Sequence, residues 1–147
     1  MYSGEQQMPA MPPFHLAIPV DDLKTAEAFY GDLLGCPRGR RSDDWIDFDF
    51  FGHQLVTHLS PAACSAAPSN DVDGENVPVR HFGVVISPAE WEGLAARLQG
   101  AGADFIIEPT IRFKGSPGEQ GTFFIRDPAG NALEFKCFAD MKQLFAV

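Results

Sequence analysis

Two segments of this chain repeat the same order of features, and this repetition constrains the fold more than any other property of the sequence. Residues 14–35 read FHLAIPVDDLKTAEAFYGDLLG, and residues 81–102 read HFGVVISPAEWEGLAARLQGAG. Each begins with a short apolar strand beside a histidine, and continues with a polar break, an amphipathic helix and a glycine that ends the helix. In the second copy, Ser87, Pro88 and Glu90 supply a helix cap, a first-turn proline and a capping-box glutamate. The repetition predicts two copies of one structural unit.

Three strand-like runs follow each predicted helix. They read PRGRR, WIDFDFF and HQLVTHL in the first half, and DFIIEPTIR, GTFFIRD and NALEFKCF in the second. The alternation in WIDFDFF has the period of two that is typical of a half-buried strand. Both halves therefore read strand–helix–strand–strand–strand. The predicted fold class is α+β, with two βαβββ modules in tandem whose mixed sheet curves around one cavity.

We predict a single domain of two modules, because 147 residues suffice for one hydrophobic core. The segment between the modules is rich in Pro, Ala, Ser, Asn and Asp, which is typical of a linker. The predicted parts are a flexible arm at 1–13, module one at 14–60, a linker at 61–78, module two at 79–138 and a C-terminal tail at 139–147.

Charge and composition exclude several classes of partner. The formal charge is −9, from 20 acidic and 11 basic residues, so a nucleic-acid backbone would be repelled. The one basic cluster, RGRR at residues 38–41, is interpreted as a solvated strand end. No apolar run approaches the roughly 20 residues of a membrane span, and the start lacks the pattern of a signal peptide. Three widely spaced cysteines indicate a reducing, cytoplasmic location. We expect a small-molecule substrate and neither a nucleic-acid nor a membrane partner.

Four side chains occupy related positions in the two halves. His15 and His81 begin the first strand of each module, and Glu134 lies in the last strand of module two. In the last strand of module one, His58 lies on the face equivalent to that of Glu134. If the sheets curve towards each other, these groups meet in one cavity, where imidazoles and a carboxylate suit a divalent transition metal. The cation would also compensate the burial of Glu134.

Each of these residues has a structural interpretation as well. A strand histidine is commonly satisfied by a backbone carbonyl, and a buried glutamate commonly pairs with an arginine. Arg112 and Arg126 are available as partners for Glu134. The residues alone leave both interpretations open.

The segments HLAIPVDDLKTAEAFYGDLLG, RHFGVVI and FFIRDPAGNALEFK resemble the vicinal oxygen chelate superfamily, which includes glyoxalase I, bleomycin-resistance proteins and extradiol dioxygenases. The resemblance implies paired modules around a U-shaped cavity and a metal that chelates two vicinal oxygens of a substrate. It implies His15, His81 and Glu134 as ligands, a set that favours Fe²⁺, with Zn²⁺, Ni²⁺ or Mn²⁺ as alternatives. The frequent dimers of the family imply a homodimer.

The sequence departs from this pattern at one position. Members similar to glyoxalase I usually supply a fourth ligand, often glutamate, from the last strand of module one. The equivalent residue here is Val56, which cannot ligate; His58 lies one pleat further along and Gln54 one pleat earlier. The metal would then have three protein ligands, or a fourth from His58 or Gln54.

The resemblance implies a metal-dependent enzyme, and we prefer a dioxygenase-like activity on a small substrate with two adjacent oxygens. A glyoxalase-like lyase or isomerase needs a displaceable carboxylate base, and Glu134 would have to act as both ligand and base. His58 and Tyr30 are candidates for proton transfer. Arg112, Gln120 and Phe124 are candidates for substrate binding near the mouth of the cavity, although a solvated hairpin is the simpler interpretation of this segment. A metal-free, antibiotic-binding resistance protein is a further alternative.

Overall fold

The first half of the chain forms a four-stranded sheet. The computed structural model describes residues 10–65, 68–72 and 75–147. The predicted arm lies mostly outside these residues; residues 10–13 are exposed and belong to no helix or strand. The strands of this first sheet are β1 (His15–Val20), β2 (Arg38–Arg41), β3 (Trp45–Phe50) and β4 (His53–Leu59). Their order is β1-β4-β3-β2, with β1 parallel to β4. Strand β2 carries the basic cluster and is exposed, as predicted.

The helix of module one is short and ends in a wider turn. Asp22 caps α1 (Leu23–Glu27), and its side chain accepts a hydrogen bond from the amide of Lys24. The chain continues as a π-helical segment, Ala28–Leu33, which buries Phe29 and Tyr30 in the core. Gly35 then leaves the helix with a φ of 75°, a conformation that glycine adopts without strain.

The predicted linker contains regular structure. Residues 61–78 include a 3-10 turn, Pro61–Ala63, and two antiparallel strands, β5 (Ser69–Val72) and β6 (Glu75–Pro78). Strand β6 leads directly to the histidine that opens module two. The polar composition therefore predicted an excursion between the modules but not its hydrogen-bonded strands.

Module two repeats the order of module one. Its elements are β7 (Phe82–Val85), α2 (Pro88–Gly100), β8 (Asp104–Arg112), β9 (Gln120–Arg126) and β10 (Ala132–Phe138). The strand order is β7-β10-β9-β8, with β7 parallel to β10. Helix α2 begins where the sequence predicted, because the Ser87 hydroxyl accepts a hydrogen bond from the amide of Glu90 at 3.2 Å. The predicted α+β fold of two βαβββ modules is confirmed. Neither helix of the described residues has the length and apolar run that a bilayer span requires.

One hydrophobic core joins the modules, although hydrogen bonding divides their strands between two four-stranded sheets. The rings of Phe50 and Phe82 lie 5.7 Å apart between centroids, and those of Phe51 and Phe135 lie 5.8 Å apart. Alternate residues of each sheet face this core, so the opposite face of each sheet carries the polar side chains. The candidate functional residues lie on these polar faces.

A buried polar turn also connects the modules. Asp127, which is 4% exposed, accepts hydrogen bonds at Oδ2 from the Tyr30 hydroxyl at 2.7 Å and from Asn131 Nδ2 at 2.8 Å. Asn131 Nδ2 also donates to the carbonyl oxygen of Pro19 at 2.8 Å. Gly130 has a φ of 92°, which closes the turn between them. The DPAGN motif therefore ties module two to the helix and first strand of module one.

Candidate metal centre

Two of the predicted ligands meet in module two. His81 precedes β7 and Glu134 lies in β10, and these strands run side by side. His81 Nε2 lies 3.1 Å from Glu134 Oε2. Gly83 permits the close approach of the strands, because a Cβ at that position would overlap the carbonyl oxygen of Glu134.

A second hydrogen bond orients each of these side chains. His81 Nδ1 lies 2.6 Å from the carbonyl oxygen of Pro78, which can only accept, so Nδ1 carries a proton. The Thr122 hydroxyl donates to Glu134 Oε1 at 2.7 Å. A neutral His81 would therefore present the lone pair of Nε2 to the carboxylate. Because two lone pairs repel each other, the contact requires either a proton between Nε2 and the carboxylate or a metal cation.

The electrostatics of the pair favour its charged form in the absence of a metal. Burial raises the pKa of Glu134, but the hydrogen bonds from His81 and Thr122 outweigh burial and hold that pKa below its ordinary value. The hydrogen bond to Glu134 is the main cause that raises the pKa of His81. The two side chains are 27% and 17% exposed. His81 and Thr122, rather than Arg112 or Arg126, thus compensate the buried carboxylate.

The pair lies in the wall of a cavity of 450 Å³ on the polar face of the second sheet. The hairpin β5–β6 forms one side of this cavity and strands β8, β9 and β10 form the other. The edge of the Phe124 ring approaches the His81 ring, with centroids 5.0 Å apart. The lining residues are Val72, Glu75, Val77, His81, Ile107, Thr110, Arg112, Thr122, Phe124, Glu134 and Lys136.

The predicted substrate-binding residues divide between two cavities. Arg112 and Phe124 line the cavity that contains His81 and Glu134. Gln120 instead lines a separate, smaller cavity beside Trp91, and its Nε2 donates to the carbonyl oxygen of Gly118 at 3.5 Å. Sequence reasoning missed Lys136, although its position two residues after Glu134 placed it on the same face of the strand.

The third predicted ligand lies on the polar face of the first sheet. His15 and Gln54 are register partners, and His15 Nδ1 lies 2.9 Å from Gln54 Oε1. Because an amide oxygen only accepts, Nδ1 of His15 donates and Nε2 carries the lone pair, as in a neutral His81. Both histidines are therefore oriented through Nδ1, although their partners differ.

Among the residues that the structure describes, the four predicted ligands of one chain do not form a single cluster. In the described part of the chain, no three His, Cys, Asp or Glu side chains lie close enough to hold one metal ion. His58 is exposed near the far end of β4, about 13 Å along the strand from the partner of His15. Val56, which occupies the position equivalent to Glu134, is buried. Within one chain, the polar faces that carry these residues belong to two separate sheets, and the common metal site stays a prediction.

Tyr30, whose role in proton transfer stays a prediction, lies in the buried core. Its side chain is 0% exposed, and its hydroxyl donates to Asp127. Burial raises the pKa of Tyr30 well above its ordinary value, and the nearby Asp127 raises it further. Tyr30 therefore stays protonated and connects the modules, and it does not contact the cavity of His81 and Glu134.

Comparison with known proteins agrees with this architecture. A family model described as the Glyoxalase/Bleomycin resistance protein/Dioxygenase superfamily matches residues 13–135. Among solved structures, the chain is similar to a glyoxalase/bleomycin resistance protein/dioxygenase from Alicyclobacillus acidocaldarius. The two are 38% identical, the match covers 90% of this chain and 96% of that chain, and the TM-score is 0.75.

Two more distant structures share the fold. The fosfomycin resistance protein FosX from Listeria monocytogenes is 15% identical, with 98% of this chain and 100% of that chain covered and a TM-score of 0.68. A lactoylglutathione lyase from Agrobacterium tumefaciens is 23% identical, with 96% and 100% covered and a TM-score of 0.61. No curated protein matches the chain. On the family match and the similarity to the Alicyclobacillus protein, the chain belongs to the glyoxalase/bleomycin resistance protein/dioxygenase superfamily.

Proposed function

We propose that this protein is a divalent-metal-dependent enzyme with a dioxygenase-like activity on a small substrate that has two adjacent oxygens. The observation that carries the proposal is the pair formed by His81 Nε2 and Glu134 Oε2, 3.1 Å apart. His81 Nδ1 donates a hydrogen bond to the Pro78 carbonyl, and the Thr122 hydroxyl donates one to Glu134 Oε1, so both side chains are held in one orientation. Outer hydrogen bonds of this kind orient the ligands of catalytic metals and fix the tautomer of a ligating histidine.

His15 is the third proposed ligand, and Gln54 is its orienting partner through the 2.9 Å contact. A symmetric homodimer offers one way to complete the site, because the polar face of module one from one copy can meet that of module two from the other. About 13 Å of strand separates His58 from Gln54, so His58 is left out of the proposed ligand set. Its role in proton transfer stays a prediction.

The donor set of one carboxylate and two imidazoles suits Fe²⁺, which we favour over Zn²⁺, Ni²⁺ and Mn²⁺. A bound cation of this kind supplies Lewis acidity and, as Fe²⁺, chemistry with O₂. The residues of the chain supply the charge, the orientation and the apolar surroundings of the site. Glu134 stays ionised because its pKa is lowered, His81 is held in one orientation, and Phe124 and Ile107 provide apolar walls that limit water.

Metal content tests the proposal. The purified protein is loaded with Fe²⁺ without oxygen, desalted and analysed for bound metal. We expect one ion per chain in the parent protein and at least a tenfold loss of affinity in His81→Ala and Glu134→Ala. His58→Ala is the matched control, since it removes an exposed strand histidine outside the proposed set. Full metal occupancy in both His81→Ala and Glu134→Ala would defeat the proposal.

Mixed oligomers test the origin of the third ligand. The His15→Ala and Glu134→Ala variants are purified separately, and their chains are then mixed to form dimers with one chain of each variant. If the ligands come from different copies, a mixed dimer regains one intact site and therefore binds metal; if they come from one chain, no mixture restores binding.

Oxygen uptake with a panel of catechols under Fe²⁺, compared with thiol-adduct turnover under Ni²⁺ or Zn²⁺, distinguishes the dioxygenase from the lyase or isomerase. Glu75, a second carboxylate in the cavity, is the candidate base for the latter.

A metal-free small-molecule binder is the second candidate function. The same observation supports it, because a doubly protonated His81 would pair with Glu134 without any metal. Such a binder retains ligand affinity after exhaustive chelation and shows no turnover under any of these metals. A metal-dependent enzyme loses its activity on chelation and regains it on reloading.

A further inference from the structure

A carboxylate lies on the polar face of the first sheet, beside the residue that orients His15. Asp47 in β3 is opposite Val56, and Gln54 lies two residues before Val56 in β4, so Asp47 and Gln54 are diagonal neighbours on one face. Gln54 Nε2 donates a hydrogen bond to Asp47 Oδ2 at 3.4 Å. The other end of the same amide, Gln54 Oε1, lies 2.9 Å from His15 Nδ1. Hydrogen bonds therefore connect β3 through β4 to the histidine in β1.

The side chain of Asp47 is mostly enclosed, whereas Gln54 and His15 are exposed. The Asp47 side chain is 13% exposed. A Cβ at Gly39 in β2 would lie 3.1 Å from the Cβ of Asp47, so the neighbouring strand packs closely against it. Arg40 Nε lies 4.0 Å from Asp47 Oδ2, but the Arg40 side chain is 85% exposed, and water therefore screens the attraction. A largely enclosed carboxylate favours a hydrogen-bond donor on its own face of the sheet.

The chemistry of a glutamine amide gives this contact a consequence for His15. Rotation of the amide group by half a turn exchanges its acceptor oxygen for its donor nitrogen, so Gln54 alone can present either atom to the imidazole. An ionised carboxylate only accepts, so Asp47 selects the orientation in which Gln54 Nε2 faces β3. Gln54 Oε1 then faces His15, and His15 Nδ1 must donate to it. Nε2 of His15 keeps the lone pair that a metal ligand requires.

Module two orients its histidine without such a device. His81 Nδ1 donates to the backbone carbonyl of Pro78, and a carbonyl oxygen cannot be exchanged for a donor by rotation of a side chain. Gln54 in module one has no such restriction of its own. A further group is therefore needed to fix the tautomer of His15, and Asp47 is in contact with the amide that must be fixed.

The position of Asp47 also differs from the repeat in a way that fits this role. Asp47 is opposite Val56, just as Phe124 is opposite Glu134 in module two. Module one thus has an apolar residue in its last strand and a carboxylate in the next strand, the reverse of module two. Because β4 lies between β1 and β3, this carboxylate acts on the histidine through the side chain of Gln54.

We propose that Asp47 is a positioning residue for His15: through Gln54, it holds the imidazole in the tautomer whose Nε2 can bind a metal ion. This inference rests on the proposed function, in which His15 is the third ligand. Asp47 acts at one remove and does not contact the ion. Gln54 transmits the effect, and both ends of its amide are engaged, so it lies outside the ligand set.

Long-range ¹⁵N–¹H NMR spectra of the chelated, metal-free full chain test the assignment, because they show which imidazole nitrogen carries the proton. The buffer is weakly alkaline, since imidazoles are ordinarily neutral there, and His15→Gln identifies the signals of His15. We expect the proton on Nδ1 in the parent protein. Asp47→Asn should give a mixture of both tautomers, because an amide at that position donates as well as accepts. Asp47→Ser carries the same expectation where Asp47→Asn does not fold.

Titration with Fe²⁺ without oxygen supplies the second readout. Asp47→Asn should lower the metal affinity by about fivefold, which is less than the typical loss for an orienting group in direct contact with a ligand. In a Gln54→Met background, Asp47→Asn should change neither the tautomer of His15 nor the affinity further, because the connecting amide is absent. A purely structural contribution of Asp47 would not depend on Gln54.

Asp49→Asn is the matched control, since it makes the same chemical change in β3 directly opposite Gln54. Asp49 Oδ1 accepts a hydrogen bond from the Gly52 amide at 2.8 Å, and the oxygen of an asparagine can accept it too. Asp49→Asn should therefore leave the tautomer of His15 and the Fe²⁺ affinity unchanged.

Three results would overturn the proposal: a proton on Nε2 of His15 in the parent protein, the same tautomer in the parent and in Asp47→Asn, or an Fe²⁺ affinity that Asp47→Asn leaves unchanged in a parent that binds the ion. Because the tautomer is read without metal, the two proposals fail separately. The expected tautomers without any metal binding defeat only the proposed function. Metal binding with an unaltered tautomer in Asp47→Asn defeats only this inference.

Discussion

The Tyr30 hydroxyl donates a hydrogen bond to Asp127 Oδ2 over 2.7 Å, and this buried contact joins the helical segment of module one to the DPAGN turn of module two. Asn131 Nδ2 shares the same carboxylate oxygen and reaches the carbonyl of Pro19 in β1. The relative position of the two polar sheet faces therefore depends on a small buried network as well as on the apolar core.

Removal of the Tyr30 hydroxyl tests this connection. Tyr30→Phe should lower the free energy of unfolding by about 2 kcal/mol, because a buried carboxylate loses a donor. Urea unfolding measures the change. Thr25→Ala, which removes an exposed hydroxyl that bonds the Asp22 carbonyl, should cost about 1 kcal/mol or less. An unchanged unfolding midpoint in Tyr30→Phe would contradict the predicted contribution of this hydrogen bond, and loss of activity in a fully stable Tyr30→Phe would support the predicted catalytic role of Tyr30.

Glycine at position 83 is predicted to be essential for the candidate site. Gly83→Ala places a methyl group against the backbone of Glu134, so it should cost about 3 kcal/mol or more and weaken metal binding. Gly93→Ala is the matched control, because no atom lies within 4 Å of a Cβ built there and the residue is in helix α2. That change should stabilise the protein by about 0.5–1 kcal/mol. Equal stability of the two variants would contradict the predicted clash.

We predict that the Thr122 hydroxyl increases metal affinity indirectly, because it orients Glu134. Thr122→Val keeps the shape of the side chain and removes the 2.7 Å hydrogen bond, so metal affinity should fall by about tenfold. Thr110→Val alters the neighbouring threonine of the same cavity, whose hydroxyl instead donates to the Glu108 carbonyl. Titration with Fe²⁺ compares the two. Equal affinity of Thr122→Val and the parent protein would show that this hydrogen bond does not orient the ligand.

Acid should weaken the contact between helix α1 and strand β2. Hydrogen bonds from Arg41 and Arg38 lower the pKa of Glu27 below its ordinary value of 4.5. Because the pKa is lower in the folded state, the stabilising contribution is present above pH 4.5 and is lost as pH falls through the folded pKa. Glu27→Gln should therefore be less stable than the parent by under about 1 kcal/mol at neutral pH, since the network is partly exposed. Below the folded pKa the two should converge; a difference that persists in acid would contradict the assignment.

The sequence predicted the fold well because its signals are local. Alternation defined β3, and Ser87 caps helix α2 through a hydrogen bond from a residue three positions further along. The prediction of Tyr30 as a proton-transfer residue could not take account of its buried partner Asp127, which lies 97 residues away in the sequence. The polar linker gave no local indication of β5 and β6.

The candidate site was only partly predictable, because several of its contacts join residues that are distant in the sequence. Strand parity placed Glu134 and His81 on one face, and their contact follows from the pairing of β7 with β10. The hydrogen bond of His81 to Pro78 depends on the hairpin, which the sequence did not reveal. The contact of His15 with Gln54 follows from the pairing of β1 with β4. Whether His15 joins His81 and Glu134 at one metal depends on how the two polar faces meet, which no periodicity of the sequence predicts.

Anomalous diffraction from a crystal grown with Fe²⁺ under anaerobic conditions shows whether His81, Glu134 and His15 hold one ion. The proposed ligand set predicts one anomalous peak per chain, about 2.1 Å from His81 Nε2 and from a Glu134 carboxylate oxygen, with a His15 Nε2 as the third protein ligand. A crystal in which His81 and Glu134 remain in direct contact while the ion binds elsewhere, or does not bind, would contradict it.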